Sequence, residues 1–141
     1  MLNRKIDSYL KDYYQKSSNA LLITGARQVG KTYSIREFGK TFKSFIEINF
    51  IENPDVVGLF KDAKGSADIL MRLSTITNVP MIKGDTLIFF DEVQECPDIV
   101  TAIKFLVDEG SYRYILSGSL LGVELKDIRS IPVGYMGVKE M

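Results

Sequence analysis

Residues 25–32 read Gly-Ala-Arg-Gln-Val-Gly-Lys-Thr, the spacing G-x-x-x-x-G-K-T, between an apolar run and a stretch of helical character. A polyphosphate needs donors that approach closely. Gly25 and Gly30 permit a tight loop and leave no side chain in the way. The main-chain N–H groups of Gly25, Ala26, Arg27, Gln28, Val29, Gly30, Lys31, Thr32 and Tyr33 are then expected to face one concavity, where the positive end of a helix dipole adds to the attraction. Lys31 is expected to bridge the β- and γ-phosphates as a point charge, and the Thr32 hydroxyl to ligate Mg²⁺.

A second group of chemically capable residues follows about sixty positions later. "TLIFFDE" (86–92) is an apolar strand that ends in two carboxylates. Asp91, at the strand end, is placed to hold the cation directly or through a water in its inner shell. Glu92, one residue beyond, is placed to polarise the water that attacks the γ-phosphate. Gln94 is a candidate for orienting Glu92. In "YRYILSGS" (112–119) the hydroxyls of Ser117 and Ser119 stand at another strand end, where ligands of open α/β sheets bind. Ser117 is the favoured partner for the attacking water or the γ-phosphate.

Composition narrows the chemistry. The 141 residues contain no histidine, which removes Ser-His-Asp hydrolysis, Cys-His catalysis and histidine-ligated zinc. Catalysis must run on carboxylates, lysine, arginine, hydroxyls and bound metal. Eighteen basic and eighteen acidic side chains cancel, so no summed positive field favours nucleic acid, and no recognition motif is present. The single cysteine, Cys96, cannot form an internal disulfide, and no apolar N-terminal run resembles a leader or membrane span. The expected location is therefore the cytoplasm.

The elements that must position these residues alternate between short apolar strands and longer helical stripes, the pattern of a parallel α/β sheet. An opening helix carries Leu2, Ile6, Leu10 and Tyr13 on one side, and its Tyr9, Tyr13 and Tyr14 are read as packing rather than base stacking. "ALLIT" (20–24) is a central strand, apolar on both faces. "KTYSIREFG" (31–39) is a helix with Gly39 as its C-cap. "SFIEINF" (44–50) is a second strand, and Pro54 opens a short helix. Ser66 is expected to cap a helix whose stripe is Ile69, Leu70, Leu73 and Ile76. A further helix begins at Pro97 and ends at Gly110. A short helix over 120–128 and a fifth strand over 135–141 complete the pattern.

Together, "GARQVGKT", "FFDEVQECP" and "LSGSLLGVELKDIRSIPVG" resemble a family of prokaryotic AAA+-type P-loop ATPases, whose members carry a poorly characterised domain after the ATPase core. "RKI" near the start and "INF" at the end of the second strand extend the resemblance over nearly the whole chain. It implies a P-loop NTPase fold of three α/β/α layers, with a mainly parallel five-stranded sheet in the order 5-1-4-3-2. It also implies Mg-ATP binding through residues 25–32, metal coordination by Asp91, water activation by Glu92 and a sensor hydroxyl at Ser117 or Ser119. On this resemblance residues 1–141 form an ATPase core without the helical lid and C-terminal domain. Arg129 is the candidate for an arginine offered to a neighbouring subunit, which would imply self-association, while Tyr135 stands where relatives often have a basic residue. The leading expectation is Mg-dependent ATP binding and hydrolysis, and the alternative is an ATP-dependent switch with negligible turnover whose partner engages the missing C-terminal region. A P-loop small-molecule kinase ranks third, because no arginine-rich lid segment is apparent and the Asp-Glu pair suits water as acceptor.

Overall fold

In the computed structural model, which describes residues 4–25, 29–118 and 135–140, five parallel strands form one sheet covered by helices on both faces. In chain order the elements are α1 (Arg4–Lys16), β1 (Ala20–Thr24), α2 (Val29–Gly39), β2 (Ser44–Asn49), α3 (Pro54–Leu59) and α4 (Ser66–Ser74). They continue with β3 (Thr86–Asp91), a 3₁₀ turn (Val93–Glu95), α5 (Pro97–Glu109), β4 (Arg113–Gly118) and β5 (Met136–Glu140). The strand order is β2-β3-β4-β1-β5, which is the expected 5-1-4-3-2 read from the other edge. Every pairing is parallel.

Period-two alternation of side chains divides the core in two. Leu21, Ile23, Leu87, Phe89 and Ile115 point to the face covered by α1 and α2, where Ile6, Leu10, Tyr14 and Ile35 are buried with them. Ala20, Leu22, Ile46, Ile48, Ile88, Phe90 and Leu116 point to the opposite face, against Ile69 and Leu73 of α4 and Ile99, Val100, Ile103 and Leu106 of α5. Strands β1 and β3 are buried at every position, as interior parallel strands are. β2, at an edge, alternates between buried and half-buried residues.

The tyrosines of α1 are structural. Tyr14 is buried and its hydroxyl donates to the main-chain oxygen of Tyr114. The Tyr13 hydroxyl donates to the carbonyl of Ala20 at 2.7 Å and accepts the Gly137 N–H at 3.2 Å, tying α1 to β1 and β5.

Two expected helix ends differ from the structure. Gly39 is the last residue of α2 and lacks the left-handed conformation of a C-cap glycine. It serves clearance instead, since a Cβ there would lie 2.4 Å from Cδ1 of the Phe45 ring. Ser66 does not cap α4: Gly65, at φ 87°, occupies the N-cap and offers no side chain, and Asp68 Oδ2 in the first turn accepts the Lys64 N–H at 2.8 Å. Gly110 does cap α5 in the left-handed conformation, φ 79°.

Candidate functional site

The carboxyl ends of β2, β3 and β4 are in register. Asn49 pairs with Asp91, and Asp91 pairs with Ser117, so these three residues form one row across adjacent strands. By the alternation of each strand they lie on the face covered by α1 and α2. α2 follows β1, which flanks β4, so Lys31 and Thr32 in its first turn belong to the same corner of the sheet. This is the carboxyl edge at which open α/β sheets bind ligands.

Asp91 is buried, 5% exposed. Burial, and next the charge of Glu92, hold its carboxyl above the usual Asp value; Lys31, the Glu92 N–H and the nearby Ser117 hydroxyl oppose the shift. The Asn49 amide donates to Asp91 Oδ2 at 3.2 Å. Its Oδ1 accepts the N–H groups of Ile51 and Glu52 at 2.9 and 3.0 Å, so the turn after β2 fixes the amide that steadies Asp91. Asn49 is not among the site residues that the sequence points to; its signal there is its place in "INF" at the end of the second strand, a stretch that shares in the family resemblance. Strand β2 is itself locked to α2 by a two-pronged ion pair, Arg36 Nε and Nη2 to the Glu47 carboxylate, both at 2.8 Å.

Glu92 leaves the line of β3. Its backbone is left-handed, φ 59° and ψ 49°, a conformation that costs a non-glycine residue of order 1–3 kcal/mol and gathers at functional sites. Its side chain is 9% exposed, and the Gln94 amide donates to its Oε1 at 2.9 Å. The two carboxylates therefore diverge: Asp91 stays in the sheet row, while Glu92 is turned into the 3₁₀ segment.

Two hydroxyls at these strand ends have no hydrogen-bond partner among the described residues. They are Ser117 Oγ and Thr24 Oγ1, and both side chains are buried. Ser117 is close enough to polarise Asp91 without completing a hydrogen bond of good geometry. A buried polar atom left unpaired costs free energy and asks for an explanation, and a ligand at this edge would supply the missing partner to Ser117.

The donor set fits Mg²⁺ held together with a polyphosphate. That ion takes one or two carboxylates, a hydroxyl and phosphate oxygens rather than a protein cage, and among the described residues no cluster of three or more His, Cys, Asp or Glu side chains is present. Cys96 offers no competing chemistry, since burial pushes its thiol up to about 11.

Of the residues read from the sequence, Lys31 is buried, Thr32 is half-buried and Tyr33 is exposed. Gly25 adopts φ 138°, open to glycine and strained for other residues. Val29 and Gly30 begin α2. Ala26, Arg27, Gln28, Ser119 and Arg129 lie outside the described residues.

Residues 17–141 match the family model described as an AAA domain. Among solved structures, the chain is similar to the Walker-type ATPase PABY2304 of Pyrococcus abyssi, with a TM-score of 0.61 at 14% identity, over 98% of this chain and 53% of that one. RuvB T158V of Thermotoga maritima matches at a TM-score of 0.46 and 13% identity, over 96% of this chain and 44% of that one. The chain thus spans about half the length of these structures. No functionally curated protein matches it. No helix among the described residues is long and apolar enough to cross a membrane. The parallel sheet in this strand order, together with the match over residues 17–141, makes the chain a member of the AAA domain family, with the core fold of a P-loop ATPase.

Proposed function

We propose that this protein binds ATP with Mg²⁺ and hydrolyses it to ADP and phosphate. The observation that carries the reading is the row Asn49, Asp91, Ser117 beside the start of α2, with a buried serine hydroxyl that has no partner among the described residues where a γ-phosphate or its attacking water would supply one. The family supports nucleotide handling, and the order of the two carboxylates favours turnover over storage.

In this reading the N–H groups of residues 25–33 receive the phosphates, and Lys31 neutralises the β- and γ-oxygens. Thr32 and Asp91 would hold the Mg²⁺, which when bound draws charge from the phosphate oxygens. Asn49 keeps the Asp91 carboxylate facing the site. Glu92 accepts a proton from water as the water oxygen bonds to the γ-phosphorus. The bond from that phosphorus to the β–γ bridging oxygen breaks, and its electron pair leaves with ADP. Ser117 donates to the attacking water or to a γ-oxygen, which satisfies its buried hydroxyl.

The test is Glu92→Gln, which preserves shape and removes the base. Steady-state phosphate release should fall by about 10²–10⁴-fold, while calorimetric affinity for Mg-ATP stays close to wild type. Unchanged turnover refutes the role of Glu92. A wild type that binds ATP and releases no phosphate identifies a nucleotide-dependent switch instead.

A further inference from the structure

We infer that Gln94 is a positioning residue for Glu92, and that Gly118 at the end of β4 supplies the space in which it works. The inference rests on the hydrolytic reading of Glu92 given above. The left-handed turn at Glu92 takes its side chain away from the sheet row, so strand geometry alone does not aim it. The 3₁₀ segment does so. The Glu95 N–H bonds the Glu92 carbonyl at 3.1 Å, and the Cys96 N–H bonds that of Val93 at 2.9 Å, closing the turn and bringing the Gln94 amide back to Glu92 Oε1 at 2.9 Å.

The other end of that amide rests against β4. A Cβ built on Gly118 would lie 2.7 Å from Gln94 Oε1, too close for any real contact, whereas its next neighbours, Val93 Cγ2 and Val93 N, would sit at 3.4 and 3.5 Å. Gly118 does not adopt positive φ, so its backbone suits alanine as well as glycine. What the position demands is room for one amide. The end of β4 thus bears on both carboxylates: Ser117 stands opposite Asp91 in the ladder, and Gly118 bounds the group that holds Glu92.

Because the clashing atom is the far end of a flexible, half-buried side chain, Gly118→Ala should fold and displace Gln94 rather than distort β4. The experiment is a double-mutant cycle of Gly118→Ala and Gln94→Ala, read as kcat and KM for Mg-ATP, with thermal unfolding as the check on folding. Each single variant should lose about tenfold in kcat through misplacement of the base, with KM nearly unchanged. The double variant should be no slower than Gln94→Ala, because the clash has lost its partner. Multiplying losses, a full-rate Gly118→Ala or an effect confined to KM overturns the inference. The side-chain amide resonances of Gln94 in nucleotide-free protein decide the contact without turnover. They should shift in both Gly118→Ala and Glu92→Gln, and unshifted resonances also overturn it. A wild type that releases no phosphate refutes the hydrolytic reading separately, and the contact is then judged on the resonances.

Discussion

Replacing Thr24 with valine should stabilise the nucleotide-free protein, although the substitution discards a polar atom that most buried threonines use. Thr24 closes β1 immediately before Gly25, is 1% exposed, and its Oγ1 has no hydrogen-bond partner among the described residues. An unpaired hydroxyl in such surroundings costs about 1–3 kcal/mol. Valine keeps the β-branch and its stiff χ1, and a methyl group that needs no hydrogen-bond partner replaces the oxygen. The expected gain is therefore about 1–3 kcal/mol, read as a higher urea midpoint at unchanged m-value. For a domain of this size that corresponds to a rise in Tm of roughly 4 °C per kcal/mol. Equal or lower stability means that the hydroxyl has a partner, an ordered water included, and that no unpaired oxygen was removed.

Two further perturbations separate site chemistry from packing. Asp91 has its carboxyl held above the ordinary value, so the unfolded chain releases that proton first as pH rises. Stability from this group is present at acid pH and lost as pH climbs from the unfolded value through the folded one. Asp91→Asn, which still accepts the Asn49 amide, should be more stable than wild type at pH 7, with the gap closing toward pH 4; denaturant melts at both pH values check this. Gly39→Ala should lose about 1–3 kcal/mol, because the new methyl would press on a Phe45 ring already stacked on Phe89 with centroids 6.4 Å apart; a neutral thermal melt would contradict it.

Much of this arrangement is legible in the sequence because a parallel sheet leaves period and punctuation behind. The runs 20–24 and 86–91 are apolar at nearly every position, which only strands covered on both faces tolerate, and each ends abruptly in loop-forming or charged residues. Pro97 and Gly110 bracket α5 for reasons local to the chain. Functions that depend on contacts between distant segments were not legible. Asn49 acts only because the ladder sets it opposite Asp91. A glycine after a helical stripe looks like a cap, yet Gly39 answers to a ring on the next strand, and Gly118 answers to an amide twenty-four positions earlier. Ser66 has the chemistry of an N-cap, but the chain enters α4 one residue sooner through a glycine at positive φ. The divergence of Asp91 and Glu92 depends on a backbone dihedral that no residue type announces.

A phosphate site at the corner between β1, β3 and β4 should show itself in calorimetric titration of wild type and Lys31→Ala with Mg-ATP and Mg-GTP. Losing a charged hydrogen bond worth about 1.5–3 kcal/mol should weaken Mg-ATP binding by roughly 10–150-fold, with the fold unchanged by circular dichroism. Equal affinity in the two proteins, or no heat from either nucleotide with wild type, would contradict the account.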